Sequence, residues 1–210
     1  MNRCEMIPPG SAIGILGDGQ LGRMTAMAAA NLGYKVAVLG PGGRESPAGQ
    51  VAQWAEAWGS ECFVSRELLR DFCADLSVVL IEWENVPLDL VRRIEEKDIP
   101  VRPSSCVLEI AQDRLLEKQL AAKLDIPTPS FCAIANGFEV LALAGRVDDV
   151  ILKTRFGGYD GKGQIRLGPD DSLAGAWHEL HGLPCILEEA VHFACEISVI
   201  IARCPHPDGS

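Results

Sequence analysis

The sequence predicts an α/β chain in two parts, an open parallel-sheet domain followed by a small α+β module. Short apolar runs alternating with helical patterns in the first half require a parallel sheet with crossover helices. A glycine turn joins the first strand to the first helix. In the second half, strand-like runs, two helical patterns and a glycine-rich loop follow the order β-α-β-loop-β-α-β.

Ala12-Ile13-Gly14-Ile15-Leu16 is an apolar run of buried-strand type. Gly17-Asp18-Gly19-Gln20-Leu21-Gly22 follows with G-x-G-x-x-G spacing, and Leu21, Met24, Ala28 and Leu32 then recur at helical intervals up to Gly33. Strand, glycine turn and helix N-terminus make an anion seat, because N–H groups and the helix dipole converge there. Lys35-Val36-Ala37-Val38-Leu39 completes a βαβ unit. A dinucleotide site would end this strand with an acid for the ribose. Here the strand runs into Gly40-Pro41-Gly42-Gly43, and the nearest acid is Glu45. The phosphate seat survives; the dinucleotide reading is weakened.

Pro47 to Trp58 has helical composition. Ser77-Val78-Val79-Leu80-Ile81 is another buried strand and leads into Glu82-Trp83-Glu84-Asn85-Val86-Pro87. Ligands in open α/β sheets bind at the carboxyl edge of the strands, so Glu82 and Glu84 stand either at a site or on a solvated loop. Pro87 opens a helix with Leu88, Val91 and Ile94 inward, and Pro100-Val101-Arg102-Pro103 closes the layer. Asp113 caps a helix from Arg114 to Leu124 bearing Leu116, Leu120 and Leu124. Pro127-Thr128-Pro129 then forces extended backbone and marks a boundary in the residue pattern.

A strand (Phe131 to Ala135) and a helix (Gly137 to Gly145) precede the central stretch, Lys153-Thr154-Arg155-Phe156-Gly157-Gly158-Tyr159-Asp160-Gly161-Lys162-Gly163-Gln164. Four glycines in seven residues suit neither helix nor strand, but allow successive N–H groups to converge on an anion. Val150-Ile151-Leu152-Lys153 leads in and Gln164-Ile165-Arg166-Leu167 leads out, so the stretch reads as a phosphate clamp or a flexible hairpin tip. It is not a P-loop: Phe156 replaces the first glycine, and Gly163 stands where Ser or Thr would bind magnesium. A helix from Asp170 to His181 and a strand from Cys185 to Val191 follow. His178 and His181 share a helix face with no third ligand nearby and read as surface residues rather than a metal site. Phe193 to Arg203 reads as a long strand, and Pro207-Asp208-Gly209-Ser210 as a hairpin turn whose return strand is absent. Such a strand is an aggregation hazard, which suggests a truncated piece of something longer.

A chain of 210 residues fits one large or two small domains. Its formal net charge of -10 argues against nucleic-acid and membrane-surface roles, while leaving room for a small anionic substrate in a locally basic cleft. The eight cysteines include no C-x-x-C pair, so they read as free thiols in a reducing compartment. With no apolar run near the roughly 20 residues that span a bilayer, and no signal-peptide pattern, the chain reads as cytosolic.

These motifs together resemble those of the carboxyaminoimidazole ribonucleotide synthetases, the ATPase subunit of phosphoribosylaminoimidazole carboxylase in the ATP-grasp superfamily. The resemblance rests on Gly17 to Met24, Glu82 to Pro87, Ala111-Gln112-Asp113-Arg114, Gly157 to Gln164, and Glu188-Glu189-Ala190-Val191 with Glu196. It implies a nucleotide-fold (pre-ATP-grasp) domain over 1–112, an ATP-grasp lid subdomain over 113–192, and the start of a C-terminal ATP-grasp subdomain over 193–210. The implied reaction is the ATP-dependent carboxylation of aminoimidazole ribonucleotide with bicarbonate, through carboxyphosphate, in purine biosynthesis.

By the same resemblance, Arg102 and Lys153 contact ATP phosphates, and the loop from Gly158 through Tyr159, Asp160, Gly161, Lys162 and Gly163 to Gln164 covers them. Glu188, Glu189, Ala190 and Val191 form the strand that reads adenine through backbone groups, and Glu196 accepts from the ribose. Gln20, Leu21 and Glu82 contact the ribonucleotide, which Tyr159, Asp160 and Lys162 also reach. Lys153, Lys162 and Asp160 are the catalytic candidates. The family's magnesium ligands lie late in its C-terminal domain and have no counterpart before Ser210, so the expectation is that this chain alone does not turn over. A homodimer is the implied assembly. The competing readings are a formate-dependent glycinamide ribonucleotide transformylase or biotin-carboxylase-like enzyme, an NAD(P)-dependent reductase, and a non-catalytic remnant that binds a nucleotide or partner.

Overall fold

A computed structural model of the chain describes residues 6–59, 63–143, 149–158 and 162–201. Contacts divide the chain into two units: 1–108 with 199–210, and 109–198. The residue-pattern boundary at Pro127 to Pro129 therefore falls inside the second unit.

The first unit is a parallel sheet of β1 (Ala12–Leu16), β2 (Lys35–Gly40), β3 (Trp54–Ala57), β4 (Leu76–Ile81) and β5 (Val101–Arg102), in the order β3-β2-β1-β4-β5. Both faces are covered, which is why the central strands read as continuous apolar runs. On one face Ile13, Ile15, Val36, Val38 and Val78 pack with Ala26 and Ala29 of helix α1 (Gln20–Asn31). The other face carries Leu16, Ala37, Leu39 and Val79. They pack with Leu69 and Phe72 of α2 (Arg66–Cys73) and with Leu90, Val91 and Ile94 of α3 (Leu88–Glu95). Gly14 makes room for this second layer, since a Cβ there would lie 2.6 Å from Leu76 Cδ1 and 2.9 Å from Phe72 Cζ. Ser65 caps α2 by accepting from the Leu68 N–H at 3.1 Å. Helix α4 (Ser105–Ala111) carries the chain from the first unit into the second.

Two expectations fail here. The face that α1 buries is Gly22, Ala26 and Ala29, while Leu21, Met24 and Leu32 are exposed. Small residues win because the helix lies too close to the sheet for larger ones: a Cβ on Gly22 would sit 2.8 Å from the Gly17 carbonyl oxygen. Residues 47–58 are turns and the edge strand β3 rather than helix. Pairing with β2 overrides local composition, and Gln53 Oε1 accepts from the Val36 N–H at 2.6 Å.

The second unit is an antiparallel sheet of β6 (Phe131–Ile134), β7 (Val150–Thr154), β8 (Gln164–Leu167) and β9 (Cys185–Glu189), in the order β6-β9-β7-β8. Strand alternation sorts it into two faces. Ile134, Leu152, Leu167, Cys185 and Leu187 pack with Val140 of α6 (Gly137–Leu143) and with Leu173, Ala176 and Leu180. Of these last three, Leu173 and Ala176 lie on α7 (Leu173–Glu179), which Ser172 caps. The opposite face carries Lys153, Gln164, Arg166 and Glu188. Helix α5 (Arg114–Lys123) is capped by Asp113 as expected but buries none of its residues; Leu120 and Leu124 are exposed.

Helix α7 is shorter than Asp170 to His181, and His181 follows it at φ 58, so the two histidines do not share a helix face. Residues 192–201 form no strand and are exposed. A strand exists by its ladder bonds, and among the described residues this segment has none. The hairpin signal at Pro207 to Ser210 lies outside the described residues. Of the cysteines described, Cys73 and Cys185 are buried, and burial pushes the Cys185 thiol up to about 11. Cys106 and Cys195 are exposed, so not every thiol is a core residue. Among the described residues no helix is long and apolar enough to cross a membrane.

Candidate functional site

In the first unit the chemistry gathers at the carboxyl edge of the sheet. Leu16 and Ile81 are register partners, so the glycine turn and Glu82 leave adjacent strands at one level. Gly17, at φ 108, lets the turn close on Glu82; a Cβ there would meet Glu82 Oε2 at 2.7 Å. Gln20 and Leu21 open α1 beside it and are exposed. Gly17, Asp18, Gly19, Pro41, Glu82 and Trp83 line a cavity of about 220 Å³. Burial pushes the Glu82 carboxyl above its usual range, and Asp18 and Glu84 add to the rise against the pull of the Gly22 N–H.

The expected anion seat is thus already furnished with a carboxylate. The Gly22 N–H, in the first turn of α1, serves Glu82. Asp18, buried and not anticipated as a site residue, accepts from the Gly42 N–H at 2.7 Å and the Gly43 N–H at 2.9 Å. Gly40 is what admits it, since a Cβ on Gly40 would fall 2.3 Å from Asp18 Cγ. The end of β2, where a dinucleotide enzyme keeps its ribose acid, is therefore filled by the protein's own side chain. The signal was in the sequence: an acid inside the first glycine turn, and glycines without an acid after β2.

In the second unit the polar sheet face is cationic. Lys153 Nζ lies 2.9 Å from Glu188 Oε2, and Lys118 Nζ from α5 lies 3.5 Å from the same oxygen. Glu188 is opposite Ile151, so Lys153, two residues further along β7, reaches it diagonally on one face. The base of the glycine loop is held from the same helix. Arg114 donates to the Thr154 carbonyl at 2.7 Å and the Gly158 carbonyl at 3.0 Å. Gly158 permits this approach, because a Cβ would lie 2.8 Å from Arg114 Nη2. Asp113 forms a two-point ion pair with Arg155 and also caps α5. Burial raises the Asp113 carboxyl, but the Arg155 and Leu115 hydrogen bonds outweigh it and hold it below the usual range. Gly163 closes the far end, its carbonyl accepting from the Thr154 N–H at 2.8 Å.

The structure brings Lys153, Gly158, Lys162, Gly163 and Gln164 to one end of the β7–β8 hairpin, and Glu188 beside Lys153. Tyr159, Asp160 and Gly161 lie outside the described residues. The Glu189 and Ala190 N–H groups bond to the Ser130 and Asp149 carbonyls, while Val191 and Glu196 are exposed. Arg102 belongs to the first unit, where it donates to the Val101 carbonyl at 2.9 Å; within the second unit Arg114 reaches the glycine loop. Arg114 and Lys118 were missed as site residues, although the motif containing Arg114 was visible and the four-residue interval puts both on one face of α5.

Comparison with known proteins gives a consistent result. Residues 11–112 match the ribonucleotide synthetase preATP-grasp domain, and residues 119–209 match the ATP-grasp domain. The chain is 40% identical over 202 residues to the N5-carboxyaminoimidazole ribonucleotide synthase of Brucella melitensis, covering 94% of this chain and 54% of that one. It is 38% identical over 192 residues to the Pseudomonas aeruginosa protein of that name, covering 91% and 52%. The crystal structure of an ADP complex of an N5-carboxyaminoimidazole ribonucleotide synthetase superposes with a TM-score of 0.79 at 34% identity, covering 91% of this chain and 50% of that one. The chain spans about half the length of these relatives.

Proposed function

Because the chain belongs to the N5-carboxyaminoimidazole ribonucleotide synthetase family of ATP-grasp proteins, we propose that it serves ATP-driven carboxylation of aminoimidazole ribonucleotide by bicarbonate. The observation that carries this reading is the second unit's cationic sheet face, with Lys153 on the strand that runs into a glycine loop gripped by Arg114.

In this reading the ATP phosphates lie against Lys153, Arg114 and the loop from Gly158 to Gln164, and Arg102 keeps its place as a phosphate-contact candidate. Phosphoryl transfer demands mainly positioning and charge neutralisation, which ammonium groups and backbone N–H donors supply once water is excluded. The bicarbonate oxygen attacks the terminal phosphorus and ADP leaves. The ribonucleotide amine then takes the carbon of the resulting carboxyphosphate, releasing phosphate. Asp160 and Lys162 keep their place as catalytic candidates, and Tyr159 its place as a ribonucleotide contact. The base is read by the Val191 N–H and by carbonyls of residues 188–190, with Glu196 on the ribose. Magnesium, when bound, supplies further neutralisation of the phosphates; among the described residues no cluster of three His, Cys, Asp or Glu side chains could hold a metal ion.

The first unit's cavity, lined by Glu82 and the glycine turn with exposed Gln20 and Leu21 opening α1 beside it, takes the ribonucleotide. Its carboxylates suit the donor groups of that molecule, its amine or hydroxyls, rather than its phosphate. The protein works in the cytoplasm, as a homodimer. The nicotinamide reading is not favoured, since Asp18 occupies the place of the ribose acid.

The test is an assay, with ATP, magnesium, bicarbonate and aminoimidazole ribonucleotide, of the chain extended to the full length of its relatives, since the chain alone is expected not to turn over. Phosphate release in step with carboxylation is expected. Release that requires formate and glycinamide ribonucleotide instead, or that ignores the ribonucleotide, overturns the proposal.

A further inference from the structure

The interior of the nucleotide face contains one residue that the family reading leaves without a task. Lys118 lies one helical turn beyond Arg114 on α5, so the two side chains share a face. Arg114 reaches the glycine loop, and Lys118 reaches Glu188. The Glu188 side chain is only 5% exposed, and both ammonium groups address its Oε2, Lys153 at 2.9 Å and Lys118 at 3.5 Å.

We propose that Lys118 is a positioning residue of the nucleotide site, holding the Glu188 carboxylate so that Lys153 can turn from it to a phosphate. The proposal rests on the nucleotide reading above. A Lys153–Glu188 pair alone would be neutral and would offer an anion no net charge. Drawing Lys153 away would also strand a buried carboxylate, which is strongly unfavourable. With Lys118 present the three groups sum to one positive charge, the neighbouring Glu117 being offset by Arg114, and Glu188 keeps a partner when Lys153 moves. The nearer lysine is the mobile one and the further lysine its substitute. Both lysine side chains are partly exposed, at 22% for Lys153 and 17% for Lys118, whereas the carboxylate between them is not. Lys118 acts through Glu188 and need not touch the ligand.

Calorimetric titration of the full chain with ADP and, separately, with adenosine tests this, because only the first carries phosphates. Lys118→Met should weaken ADP binding about tenfold while leaving adenosine within about twofold, and Lys118→Arg should restore ADP binding. In a Glu188→Gln background, Lys118→Met should add no further loss, since the buried charge it compensates has gone. Equal losses for ADP and adenosine, or full additivity with Glu188→Gln, would show Lys118 to be merely structural and overturn the proposal. So would wild-type ADP affinity in Lys118→Met. If Lys118→Met does not fold, Lys118→Gln takes its place with the same expectations. Failure of the unaltered chain to bind ADP at all would instead remove the nucleotide reading and this inference with it.

Discussion

Both units of this molecule carry a glycine-rich turn at the end of a buried strand, and the two turns have opposite electrostatic characters. In the first, carboxylates fill the space the glycines open: Glu82 sits under Gly17 and takes the Gly22 N–H, and Asp18 takes those of Gly42 and Gly43. In the second, cations do so: Arg114 lies against Gly158, and Lys118 and Lys153 share Glu188. Glycine content shows where backbone and ligand can approach closely. The side chains delivered from other elements decide what charge the ligand should have.

The largest expected effect comes from removing the ion pair under the second turn. Asp113 is 3% exposed, caps α5 and binds Arg155 at two points, so Asp113→Ala should destabilise the second unit by about 3 kcal/mol, measured by denaturant unfolding. The pH dependence has a definite sign. The folded Asp113 carboxyl lies below its unfolded value, so its stabilisation is present above about pH 4 and is lost as pH falls through the folded pKa. Asp113→Ala should flatten that part of the acid-unfolding profile.

The matching test in the first unit is Gly22→Ala. The new Cβ would meet the Gly17 carbonyl at 2.8 Å, and a loss of about 2 kcal/mol in the unfolding transition is expected. Ligand binding then separates the two turns. Lys153→Met should weaken ADP binding about tenfold, and Glu82→Gln should leave it unchanged while weakening the ribonucleotide by a similar factor. The reverse pattern, read by calorimetry, would invert the comparison. The smallest effect is expected for Met24→Ala: with Met24 61% exposed, its thermal midpoint should correspond to a change within about 0.5 kcal/mol.

The last expectation bears on what the sequence could show. Leu21, Met24, Ala28 and Leu32 have helical spacing and correctly mark α1, yet the face they mark is the exposed one. Periodicity finds a helix, but when a helix packs on a sheet at close range the buried stripe is made of glycine and alanine, which hydropathy scarcely distinguishes. The buried strands β1, β2 and β4 were legible because both their faces are apolar, and β9 because it opens on the apolar run Cys185-Ile186-Leu187. Strand β3 was not, since an edge strand is defined by its partner. Within the site, Lys153 and Glu82 were legible from their places at strand ends. Lys118 was not, because its meaning depends on Glu188, seventy residues away and reached only through the fold. Asp18 stands openly in its motif, but its task depends on Gly40, which makes room for it at the end of the neighbouring strand.

Trp83 lines the first unit's cavity and stacks on buried Trp58, with ring centroids 6.3 Å apart and planes 19° from parallel. The fourth tryptophan, Trp177, packs with the apolar side of the second sheet, the side away from Lys153. In the proposed reading the protein thus contains its own optical probe for one ligand and not the other. Intrinsic emission should respond when the ribonucleotide enters and stay silent for the nucleotide, so the order in which the two molecules bind can be followed without a label.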